Sequence, residues 1–486
     1  MSEFASNCLL YESPNRLKVT FCAFSQCGNY FGFVENRSHV HIHETSQLID
    51  PLSRKIDTES SWHVSDNETQ IPVNLAPIIS LDASNSNPDV GVNYIAFGDG
   101  DISRCRLPRR LSKRRSIVTT KYPNRVCVLA VAKSNGYIDV FNINLLKENL
   151  SLILAKMVLL DGRQSIVHLC MSTEGALRLA STSCQGVVKL WDIWDDGNMY
   201  ATLTLYTGGP SFVNVKDINA SKQSPTVPYN HKVTVTAWHP FESHIFLGDQ
   251  QGHGLVLQDE KPYRCLHVIR HHHMISGAIY SRDGDFLLTS SFDGSCVLWS
   301  VPSYTQVFSV WHMTVKHNIR LLGGANDFHV TALALSPDSE SFVTFCEDGT
   351  LRLWSLSHNL ESQILTRQSD LDHQSLHERT LAWGPCGQLL ACSLGDHRLK
   401  IWNKTHLPKG SLVSLCTSAI RRHVVSGLCA GNPAPSCCQS AVNEGSALTA
   451  LSALPLPRLL RSLLCRDLEA GISVTTATTP TVSAKL

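Results

Sequence analysis

The chain has 486 residues, of which 43% are apolar and 17% charged, with a formal net charge of +1. This composition describes a globular protein with a sizeable core and excludes a disordered one, and so balanced a charge provides no field for nucleic acid. No apolar run reaches the ~18 residues that span a bilayer, the start lacks the layout of a secretory signal, and 17 cysteines are scattered along the chain. The expectation is therefore an intracellular chain, cytoplasmic with a possible nuclear role, with reduced thiols and no membrane partner.

Residues 1–16 read as an N-terminal segment. From residue 17 to 404 one phrase recurs: an apolar strand, a Gly-containing turn, and a second strand ending in a bulky residue. In chain order the copies are NYFGFVENRSHVHIHE (Asn29–Glu44), CVLAVAKSNGYIDVFN (Cys127–Asn142), ALRLASTSCQGVVKLWD (Ala176–Asp192) and HIFLGDQQGHGLVLQD (His244–Asp259). GDFLLTSSFDGSCVLWS (Gly284–Ser300), SFVTFCEDGTLRLWS (Ser341–Ser355) and QLLACSLGDHRLKIWN (Gln388–Asn403) follow. Their terminal positions are His43, Phe141, Trp191, Leu257, Trp299, Trp354 and Trp402, at intervals of 98, 50, 66, 42, 55 and 48 residues. Most copies are preceded by another strand and tight turn, as in TVTAWHPFES and VTALALSPDSES. Four strands per unit, a spacing near forty residues and a W-D-like ending are the signature of propeller blades. The expected fold is all-β, a seven-bladed WD-repeat β-propeller. Its terminal aromatics are blade-packing residues and not a ligand site.

Two interruptions stand out. The first, an insertion at about 81–124, contains LPRRLSKRRS. Arg109, Arg110, Lys113, Arg114 and Arg115 there are candidates for binding an acidic or phosphorylated target motif; a nuclear-localisation signal and a plain solvated loop are the other readings. The second is the polar stretch Lys216–Asn230, read as a loop leading into the fourth blade. His271–His273 invite a zinc reading, but adjacent histidines on a short turn cannot all face one ion, so a loop is favoured and no metal ligands or cofactors are assigned. Neither a GxxxxGK[ST] loop nor a GxSxG elbow occurs, and the chain is expected not to be an enzyme.

After KTHLPKG comes SLVSLCTSAI, in which Ser411 suits an N-cap and Leu412, Leu415, Cys416 and Ala419 share a helical face. Further on, LSALPLPRLLRSLL pairs an extended Leu-Pro segment with a second leucine-striped helix beginning near Pro457. The two pieces are too small for a core of their own and need a partner surface. A plainer reading has the first helix cap the propeller.

These residues carry a family resemblance. Ser411, Leu412, Leu415, Cys416 and Ile420 resemble the elongin-binding half of a suppressor-of-cytokine-signalling (SOCS) box. Leu451, Leu454, Pro455, Leu456, Pro457 and Leu460 resemble its cullin-5-selecting half. With the repeats, and with the phrases WDIWDDGNMY and GGANDFHVTALALSPD, the chain resembles the WD-repeat and SOCS-box proteins. That resemblance implies a small α-helical SOCS box at 408–468, here with a long internal connector at about 421–450; the Thr/Ala/Ser-rich tail at 469–486, where the family typically ends, reads as disordered from its composition. The resemblance also implies partners: the elongin B/C heterodimer, cullin-5 with its RING protein, and a protein target held by the propeller. The implied role is the substrate-recognition subunit of an E3 ubiquitin ligase, promoting ubiquitination and proteasomal degradation of that target. A WD-repeat scaffold for signalling proteins, without ligase role, is the alternative. The long connector, and Leu463 where the family has Tyr or Phe, depart from the family pattern.

Overall fold

In a computed structural model, the chain divides into two compact units, Met1–Thr405 and His406–Leu486. The structure describes residues 7–48, 69–72, 77–83, 90–101, 125–143, 146, 156–172, 177–193, 197–207, 213–218, 230–312, 329–347, 349–356, 362–367, 380–394 and 396–403. The expected box, its connector and the tail lie outside the described residues.

The described residues form 31 strands in seven sheets. Five of the sheets are blades built from consecutive strands, here called a to d from the axis outward; blades 1 and 7 interleave strands near the start of the chain. Blade 5 is typical: Ile275–Tyr280, Phe286–Ser291, Ser295–Ser300 and Thr305–Trp311, paired in that order. Each a strand neighbours the a strand of the next blade. Thr380–Trp383 of blade 7 neighbours Val19–Phe24 of blade 1, which closes the circle. The predicted seven-bladed all-β propeller is the observed fold.

The residue pattern explains the layering. A b strand lies between sheets on both faces, so Ser341–Cys346 is buried at every position. An outermost strand has one wet edge, and Cys265–Arg270 leaves four of its six residues exposed. Seven apolar clusters fill the seven junctions. One joins Val128 and Ala130 of blade 2 to Leu169 and Trp191 of blade 3; another joins Leu389 and Ile401 of blade 7 to Val19 and Phe31 of blade 1. Burying each such side chain contributes roughly 1.5–3 kcal/mol, which is why no blade is stable without neighbours. The b–c turn of blade 2 requires glycine: Gly136 has φ +84°, and a Cβ there would collide with the Gly162 carbonyl of the following connection.

Three boundaries differ from the sequence reading. Asn7–Glu12, placed outside the propeller, is the outer strand of blade 7. It runs antiparallel to Arg398–Asn403 with Cys8 opposite Trp402 and Leu9 opposite Ile401. Leu9 is 1% exposed, so the strand fits an apolar slot as well as a hydrogen-bonding edge. Thr69–Pro72 then pairs parallel to it on the outside, an edge position where proline costs no ladder bond. Second, the insertion is shorter than expected. Ile79–Asp82 is the outer strand of blade 1 and Val92–Asp101 the inner strand of blade 2. Within the expected insertion, 84–89 and 102–124 are not described, the latter lying between strands a and b of blade 2. Third, Val213–Asp217 pairs with the outer side of Asn198–Thr207 and widens the edge of blade 3, while Asn230–His231 pairs with the other side of the same strand.

Candidate interaction face

Antiparallel meanders put the a–b and c–d turns at one rim of the ring, and the b–c turns with the blade-to-blade connections at the other. The second rim is held by a relay that recurs in blades 3, 5 and 6. The residue leaving the preceding outer strand donates its backbone N–H to the preceding b–c glycine: Asp161 to Gly136 at 2.9 Å, His271 to Gly252 at 2.8 Å, His312 to Gly294 at 3.0 Å. Its side chain meets a strand-b hydroxyl: Asp161 accepts from Ser181 at 2.5 Å, His271 Nε2 lies 2.8 Å from Thr289 Oγ1, and His312 bonds Thr344. That hydroxyl accepts the strand-c indole N–H, from Trp191 at 2.9 Å, Trp299 at 2.9 Å and Trp354 at 2.8 Å. The terminal Trp residues are therefore packing residues, as expected, with a polar tie at the tip. In blades 1, 2 and 4 the hydroxyl and indole positions hold Phe33 and His43, Val131 and Phe141, and Leu247 and Leu257. All six are buried. These are the repeats that read as weakest.

His271 belongs to the relay, and this resolves the triple histidine. Its Nδ1 lies 3.1 Å from Ser295 Oγ and 3.7 Å from Asp293, while His272 donates its backbone N–H to Asp293. Burial alone would raise the Asp293 carboxyl; the hydrogen bonds from His271, Ser295 and two backbone N–H groups outweigh it and hold the group well below the usual range. His273 points instead to the rim. It stacks on Phe292, with centroids 6.2 Å apart, and Phe292 stacks on His329 at 4.6 Å and 8°. Glu347 fixes His329 through a 2.7 Å contact to Nδ1. The result is a half-exposed aromatic ledge across blades 5 and 6, whose ring faces suit stacking on an aromatic, cationic or proline side chain.

The opposite rim carries different chemistry. Phe241, 67% exposed, tips the a–b turn of blade 4. Arg178 at the start of a b strand pairs with buried Asp259 of the next blade at 2.5 Å, and Tyr200 donates to the same carboxylate at 3.1 Å. Burial raises the Asp259 carboxyl against the pull of Arg178. On this rim too, Cys27 of a blade 1 turn approaches Cys127 and Asp99 of blade 2. The hydrogen bond from Cys127 lowers the Cys27 thiol to about 6, more than burial raises it.

Of the sequence-predicted site residues, Arg109, Arg110, Lys113, Arg114 and Arg115 lie outside the described residues, in the segment that joins strands a and b of blade 2. The elongin set at 411–420 and the cullin set at 451–460 also lie outside them. What sequence reasoning missed is the relay, although it has a signal: a Ser or Thr ten residues before the Trp, as in Ser181, Thr289 and Thr344. The aromatic ledge had none, since its members come from three separate turns.

Repeats, ring and relay define a WD-repeat β-propeller, a protein-interaction scaffold of a kind that is generally non-catalytic. The family described as WD domain, G-beta repeat matches residues 263–300, 317–355 and 372–403. Among curated proteins, the chain is similar to Protein transport protein sec13 of Aspergillus clavatus, 25% identical over 46% of this chain and 75% of that protein. It is also similar to the Protein LST8 homolog of Drosophila melanogaster, 27% identical over 33% of this chain and 49% of that one. A chain in the crystal structure of the mitotic checkpoint complex matches its fold with a TM-score of 0.51 at 14% identity, covering 82% of this chain and 92% of that one.

Proposed function

We propose that this protein is a substrate receptor of an elongin B/C–cullin-5–RING E3 ubiquitin ligase. The observation that supports the reading is the order of parts: a propeller that closes at Asn403, then a Leu- and Cys-faced helix pattern, then the Leu-Pro-Leu-Pro segment. The propeller presents the target and the box docks the elongins through Leu412, Leu415 and Cys416 with Ser411 and Ile420. Leu451, Leu454, Pro455, Leu456, Pro457 and Leu460 select the cullin. Two buried leucines contribute roughly 1.5–3 kcal/mol each, enough to concentrate binding in one hot spot around the small Cys416. Tethering then raises the local concentration of target lysines near the charged enzyme, so the receptor itself makes and breaks no bonds.

The test is capture of purified elongin B/C by the full chain. Leu412→Asp with Cys416→Asp abolishes capture while the propeller's strand signature by circular dichroism is unchanged. Undiminished capture sinks the reading and leaves a scaffold without ligase role. Similarity to relatives named for protein transport favours that second reading only as far as the shared repeats.

A further inference from the structure

Blade 4 lacks the hydroxyl and indole of the relay, yet its rim still gathers two imidazoles and a carboxylate. Asp249 ends strand b and is fully buried. Its Oδ1 accepts the backbone N–H groups of Gln251 at 2.9 Å and His253 at 2.7 Å, which locks the carboxylate in the turn. Its Oδ2 then faces His231 Nδ1 at 2.7 Å and His253 Nδ1 at 3.1 Å. His231 arrives from elsewhere: its short strand pairs with Leu205 and Tyr206 at the edge of blade 3. It is 3% exposed, whereas the His253 side chain is 23% exposed and leaves a way in from solvent. The three ligand atoms lie within 4.8 Å of one another, and the two rings meet edge to face at 5.2 Å.

We propose that His231, Asp249 and His253 form a transition-metal site, zinc by preference, that clasps the edge of blade 3 to the rim of blade 4. Tetrahedral ligands at ~2.0–2.1 Å from zinc stand about 3.3 Å apart. The His253 contact already has nearly that spacing, and the His231 contact needs about half an ångström of opening. Two nitrogens with one oxygen suit zinc, cobalt or nickel and disfavour calcium and magnesium, which take oxygen ligands. The backbone bonds to Oδ1 are the outer support that metal-binding carboxylates commonly have. Water completes the coordination from the His253 side.

The full chain titrated with Co2+ and then with Zn2+ tests the site. Uptake of one equivalent at nitrogen and oxygen ligands gives visible four-coordinate cobalt absorption without a thiolate charge-transfer band, and zinc raises the thermal midpoint. His253→Gln, at the more exposed ligand, lowers zinc affinity by at least about tenfold; His253→Asp, which keeps a ligand, retains most of it, and Cys127→Ser changes nothing. The proposal is overturned if the folded wild type takes up no stoichiometric ion. It is equally overturned if His253→Gln keeps wild-type affinity, or if Cys127→Ser removes it, which would move the ion to the thiol pair on the other rim.

Discussion

Replacing Thr289 with Val tests the relay with little change of volume. The hydroxyl serves two buried side chains, Trp299 Nε1 at 2.9 Å and His271 Nε2 at 2.8 Å, with the Val297 carbonyl a third contact at 3.4 Å. A methyl group in its place leaves both side chains facing carbon. Each buried polar group left unsatisfied costs about 1–3 kcal/mol, so the pair costs about 2–6 kcal/mol. The near-isosteric exchange adds no cavity of consequence. Equilibrium urea unfolding followed by indole fluorescence measures the loss, which appears as a lower midpoint at unchanged slope. A double-mutant cycle with Trp299→Phe separates the terms: once the indole N–H is gone, Thr289→Val costs about 1–3 kcal/mol less. A loss under about 0.5 kcal/mol, the size of an ordinary surface change, or a cycle with no coupling, refutes the claim that the relay ties the rim together.

Leu9→Ala empties a filled slot at the ring closure, and a stability loss of about 2–5 kcal/mol is expected by the same unfolding assay. Arg178→Met strands the buried Asp259 carboxylate and costs about 3–5 kcal/mol; adding Asp259→Asn restores part of it, read as thermal midpoints of the three variants. Burial lowers the His168 imidazole from 6.5 to about 4, so between those values the unfolded chain holds the proton and the folded one does not. Stability therefore falls as pH drops from 6.5 to about 4, by about 3 kcal/mol, and His168→Gln flattens that slope. Cys27, lowered to about 6, is alkylated by iodoacetamide at neutral pH well ahead of Cys184, as peptide mass spectrometry of a time course reads out. Cys127→Ala, which removes the donor, abolishes the advantage.

The sequence shows blades 5, 6 and 7 best because there each strand is marked locally: largely apolar runs such as Phe342–Phe345, interrupted only by the relay's Thr344, and Leu389–Cys392, a turn glycine, and Trp299, Trp354 or Trp402 at the end. Blades 1, 2 and 4 have weaker marks because Phe33, Val131 and Leu247 make the same junction by packing alone, which imposes volume but no particular residue. The pairing of Asn7–Glu12 with Arg398–Asn403 is not legible at all, since register across nearly four hundred residues leaves no local trace. The same holds for the aromatic ledge and for His231 beside Asp249, which proximity in the ring assembles from distant turns. The triple histidine illustrates the ambiguity: His271 is structural, His273 faces the rim, and only the fold separates them.

Ring closure by the first strand has a consequence for biosynthesis. The edge offered by Asn7–Glu12 is synthesised well before its mate, Arg398–Asn403. Over that interval the nascent protein therefore carries an open β-edge. A message cut short before codon 398 yields six completed blades flanked by two sticky borders, a product suited to clumping or chaperone capture.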